Sequence, residues 1–89
     1  MVEDKVPVEK RKGAIKKLLA AISSLENSTK EDTDFTQDNK NNVFNSLNKI
    51  RDTLSADPVP SSKEIMVANQ EIESNKAYLC YLYSEILQN

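Results

Sequence analysis

Asp57-Pro58-Val59-Pro60-Ser61-Ser62-Lys63-Glu64 is the stretch on which the reading of this chain turns. Two prolines two residues apart cannot continue a helical hydrogen-bond ladder, so any helix arriving from the N-terminal side must stop here. Ser61, followed three places later by Glu64, is a capping box. The serine hydroxyl accepts from the amide of residue 64, and the glutamate reaches back to the amide of residue 61. The stretch thus closes one helix and opens another within eight residues.

Working downstream, Ile65, Ala68, Ile72, Leu79, Leu82 and Ile86 hold one stripe at helical spacing. The spacing predicts a helix over about 62–87, roughly 39 Å long at 1.5 Å per residue. Asn75 falls where that stripe expects an apolar residue. It either sets helix register or marks a gap where the stripe meets water. Upstream, Val43, Leu47, Ile50 and Leu54 form a second stripe and predict a helix over about 36–55, with Asp34 or Thr36 as its cap. Five asparagines between 39 and 48 are poor helix formers, so this helix depends on packing.

Ile15, Leu18, Ile22 and Leu25, with Leu19 beside them and Val8 a heptad earlier, predict a first helix over about 8–27. Pro7 suits its first position. Gly13 and the cations at 10–12 oppose its start, and fraying is expected before residue 13. Residues 27–34 are polar, show no repeat and read as the first connection.

Short connections make successive helices antiparallel neighbours. The expected fold is therefore all-α, an up-down-up three-helix bundle with a long C-terminal helix, one domain over residues 1–89. One glycine in 89 residues is too few for the tight turns of a β-protein. The helical pattern is still running two residues before the end, as in a domain cut from a longer protein. Leu18, Ile22, Leu47, Ile50, Leu79 and Leu82 are the expected core.

Composition argues against most chemistry. With no histidine, the usual general base and the commonest metal ligand are missing. The only glycine is Gly13, which excludes nucleophile elbows, phosphate loops and dinucleotide fingerprints. Glu71 and Glu73 diverge on a helix. Glu31, Asp32 and Asp34 lack the spacing of a calcium loop and read as solvated. A helical site for a dianionic substrate needs several convergent cations, and the chain has two arginines, Arg11 and Arg51. We expect no enzyme activity, no cofactor and no metal.

A single cysteine forms no internal disulfide, and with no apolar run of ~20 residues or signal-peptide core the simplest context is soluble, cytoplasmic and reducing. Charge is uneven: residues 1–17 hold six Lys/Arg against three Asp/Glu, and residues 18–89 hold six against eleven. The overall balance of −2 makes the chain acidic and disfavours nucleic acid and membrane as partners.

Two surfaces stand out. All three tyrosines fall in Tyr78-Leu79-Cys80-Tyr81-Leu82-Tyr83. At 100° per residue, with Leu79 inward, Leu82, Tyr83 and Ile86 also face inward. Tyr78, Cys80 and Leu87 lie on the flanks, and Tyr81 lies on the back. Cys80, among Tyr and Leu, reads as a small apolar residue at least half-buried rather than a reactive thiol. Tyr78, Cys80, Tyr81 and Leu87 are the candidate protein-binding residues, for a partner or a second copy. A central helix buried on both flanks would equally account for the band. Lys10, Arg11, Lys12, Lys16 and Lys17 are the candidate anion-binding residues, for nucleic acid or membrane. A solvated basic face is the plainer account of them. The expected function is a small non-catalytic interaction module. The alternatives are an anionic-surface binder or a small acidic inhibitor or immunity-type protein.

Overall fold

The computed structural model describes residues 4–88. Three helices make up the fold: α1 (Val8–Glu31), α2 (Gln37–Leu54) and α3 (Ser62–Gln88). Each packs against both others, as an up-down-up three-helix bundle requires. No strand occurs among the described residues.

The core is one cluster. Ile15 and Ile22 come from α1, Val43, Leu47, Ile50 and Leu54 from α2, and Ile65, Ala68, Ile72 and Leu79 from α3. Phe35, in the connection between α1 and α2, closes it at one end. Ile22, Leu47, Ile50 and Leu79 are buried as the stripes predict, whereas Leu18 and Leu82 are half-buried at the cluster's edge.

The capping box at the start of α3 forms as read. The Ser61 Oγ accepts from the Glu64 amide at 3.2 Å, and the Ser61 amide donates to Glu64 Oε1 at 3.3 Å. The Thr36 hydroxyl caps α2 by accepting from the Asn39 amide at 3.1 Å.

Two boundaries differ from expectation. α1 runs on to Glu31, through residues that read as a polar connection. Thr29 is the reason: it continues the Ile22–Leu25 spacing and is fully buried, and its hydroxyl donates to the Leu25 carbonyl at 2.8 Å. A threonine satisfied within its own helix presents its methyl group to the core. At the other end Pro7 precedes the helix rather than opening it, and α1 is regular from Val8 despite Gly13 and the cations beside it.

Asn75 does not meet water. It is buried, and its Nδ2 donates to Ser46 Oγ on α2 and to the Glu71 carbonyl, both at 2.9 Å. A shift of α3 along α2 would break the first of these bonds, so the asparagine helps fix the register of the two helices. No buried side-chain nitrogen or oxygen among the described residues lacks a partner.

Candidate protein-binding face

The candidate face is set by where α3 outruns its neighbours. Tyr83 is the last α3 residue with a recorded tertiary partner. Its ring lies 4.7 Å from that of Phe35, centroid to centroid and tilted 58°, and its hydroxyl donates to Asp32. From Ser84 to Gln88 every residue is exposed. Ile86, expected inward on the buried stripe, is therefore exposed. Its position on the helix is inward-facing, yet 39% of it stays exposed, because α3 is near the limit of its neighbours there.

The four candidate residues separate. Tyr81 is 59% exposed on the back of α3, as the wheel places it, and its hydroxyl donates to Glu85 Oε1 at 2.7 Å. That bond, the largest cause, and the nearby charge hold the Tyr81 phenol above its ordinary value. Leu87 is 84% exposed. Tyr78 instead leans into the bundle, half-buried against the core, with its hydroxyl donating to Asn39 Oδ1 on α2 at 3.1 Å. Its place on the flank belongs to the α2–α3 contact.

Cys80 is exposed, contrary to the half-buried position expected of it. It stands at the rim of a recess of about 330 Å³ between α1 and α3, with walls formed by Leu25, Thr29, Phe35, Leu79 and Tyr83. Lys76, one turn before Cys80 on the same side of α3, shares that rim. The i, i+4 spacing was readable in the sequence. The recess was not, because it needs Phe35 folded under α3.

The basic candidates also separate. Lys10, Lys12, Lys16 and Lys17 are exposed along α1. The Arg11 side chain is only 14% exposed and is occupied within the molecule. Its guanidinium donates to the carbonyls of Val6 (3.0 Å), Val59 (3.3 Å) and Pro60 (3.0 Å), and Asp4 lies 3.9 Å away. It ties the start of α1 to the α2–α3 connection and is not free to meet an anion on the surface. The second arginine, Arg51, pairs with Glu26 between α2 and α1.

Among the described residues, no three Cys, Asp or Glu side chains gather as metal ligands would, and no helix is long and apolar enough to cross a membrane. No family model, curated protein or solved structure matches this chain at a significant level.

Proposed function

We infer that this chain is a non-catalytic interaction module that binds another protein through the C-terminal end of α3. One observation carries the reading: at the end of α3, Tyr83, Ile86 and Leu87 are exposed as i, i+3 and i+4 neighbours on one side of the helix, with Tyr81 exposed on the opposite side. Single exposed apolar residues are ordinary on protein surfaces, but a cluster of neighbours that includes an aromatic ring is the usual mark of an interaction site. Tyrosine suits such a site because it pairs a large ring with a polar tip. Cys80 and the neighbouring recess extend the same face, while Tyr78 supports it from within the fold.

Site-specific photo-crosslinking tests the reading. A photoreactive residue at exposed Ser84 on α3 is compared with one at exposed Asn45 on α2, in an extract of the source cells and in the purified protein. A discrete protein adduct, or a homodimer, formed only from position 84 is the expected result. Equal labelling from both positions, or none from position 84, overturns it. A nucleic-acid or lipid adduct from position 16 on α1 would favour the basic helix as the working surface instead.

A further inference from the structure

The end of the bundle that carries this face is acidic. Residues 31–38 hold Glu31, Asp32, Asp34 and Asp38 and no cation, and Glu85 adds a carboxylate from α3. Lys30, Lys40 and Lys76 are the cations nearest in the chain, and they offset part of this charge. Lys40 donates to the Lys30 carbonyl at 3.1 Å, and Lys76 pairs with Glu73 at 3.3 Å; Lys30 is exposed beside them. Beside these carboxylates lies the apolar recess, whose one charged lining residue is Lys76. Asp32 holds the Tyr83 hydroxyl, Phe35 packs on the Tyr83 ring, and Tyr83 and Phe35 both line the recess. Carboxylates and apolar walls therefore belong to one continuous surface.

We propose that this surface docks a basic amphipathic segment of a partner protein. An apolar side chain of the segment enters the recess and others lie along Ile86 and Leu87, while its Lys or Arg residues face the carboxylates of residues 31–38. The proposal rests on the reading of α3's end as an interface and narrows it to one class of partner. The excess of carboxylates over lysines at this end decides the choice. Rim pairs add little affinity, but they steer encounter and reject partners of the wrong sign. An anionic membrane or a nucleic acid would be repelled here. A second copy fits poorly: its exposed lysine cluster, Lys10, Lys12, Lys16 and Lys17, lies on α1, whose apolar stripe is already committed to its own core. A recess of this size takes one or two anchors and not a domain face, which suits a helix or peptide laid into a groove.

Two synthetic amphipathic peptides provide the test. Both carry leucine and phenylalanine at i, i+3, i+4 and i+7; one has lysine on the flanks, the other glutamate at the same places. Each is titrated into the full chain, and binding is followed by amide chemical shifts and by protection of Cys80 from a thiol reagent. The lysine peptide is expected to bind about tenfold or more tightly than its counterpart at low salt. That margin should shrink as salt screens the exposed charges. Asp32→Asn with Asp34→Asn should remove the margin, while Leu87→Ser should weaken both peptides. Equal binding of the two peptides, or self-association in preference to either, overturns the basic partner but leaves α3's end as the interface. Binding that ignores Leu87→Ser and leaves Cys80 unprotected overturns both. If neither peptide binds, the basic partner is overturned, and the crosslink from position 84 alone decides the interface.

Discussion

The two ends of the bundle are built by opposite rules. At the end where α2 passes into α3, every element is tied down. Asp4 accepts from the Val6 amide and from both the amide and the hydroxyl of Ser62, so the leader supplies a second anion to the N-terminus of α3 beside the Ser61–Glu64 box. Arg11 holds the carbonyls of Val59 and Pro60. At the other end α3 runs past the α1–α2 connection and leaves Leu87, and part of Ile86, to solvent. One end spends its polar groups on itself, although Val8, Met66 and Val67 are exposed near it; the other exposes Tyr83, Ile86 and Leu87 where α3 projects beyond its neighbours. An end whose polar groups are satisfied internally supports the fold, and the end where one helix projects beyond the other two has surface available for a partner.

Substitutions in the shared core set the scale for testing that contrast. Leu47→Ala removes a fully buried side chain of α2 and should cost ~2–5 kcal/mol in denaturant unfolding, enough to unfold much of a domain this small. A loss below ~1 kcal/mol would mean the core is not packed as described.

Arg11→Ala comes next and is confined to the tied end. It strips the donor from two carbonyls of the α2–α3 connection, one of them on buried Pro60. Leaving such acceptors without a partner should cost ~1–3 kcal/mol. Ser61→Ala removes the cap of α3 and should cost ~0.5–2 kcal/mol, with binding to any partner unchanged. If either substitution weakened partner binding as strongly as it weakened the fold, the division between the two ends would fail.

Acid should loosen the same end. The Ser62 amide, above all, and then the Val6 amide hold the Asp4 carboxyl below its ordinary value of 3.8. A carboxylate with a lowered value in the folded state favours folding once the pH is above its unfolded value, and that contribution fades as the pH falls through the folded one. Wild type should therefore exceed Asp4→Asn in stability by a constant margin from pH 7 to about 5. The two should converge as the pH drops below about 4. A margin that persists unchanged into stronger acid would remove Asp4 from the cap.

What the sequence disclosed follows from how local each feature is. The turn at 57–64 was legible because its chemistry involves neighbours: proline geometry and a cap spanning three residues. The helical stripes were legible because periodicity needs only one helix. Arg11 was not, since its acceptors lie 48 and 49 residues away, and on its own helix it reads as one more exposed cation. Ile86 misled for a related reason. A helical wheel gives the direction of a side chain but not the height at which neighbouring helices stop. Thr29 was passed over because its polarity was visible and its bond to the Leu25 carbonyl was not. The candidate face was half legible. Tyr81 and Leu87 were placed by angle alone, whereas the recess beside Cys80 depends on Phe35 arriving from the α1–α2 connection.

The smallest effect on stability, and the sharpest on the contrast, should come from Tyr81. Its ring is mostly in water, and its one recorded bond, to Glu85, is local to α3. Tyr81→Ala should therefore leave the melting temperature essentially where it is, as surface substitutions away from caps and cores do. Association is a different matter. A tyrosine that anchors an interface loses buried ring area when truncated, and binding should weaken about fivefold or more. Thermal unfolding and titration of the same protein separate these outcomes. An unchanged fold with weakened association would extend the working surface around α3 to Tyr81. A destabilised fold with unchanged association would place its ring within the bundle's own packing, and the aromatic band of α3 would then be the broad side of a central helix.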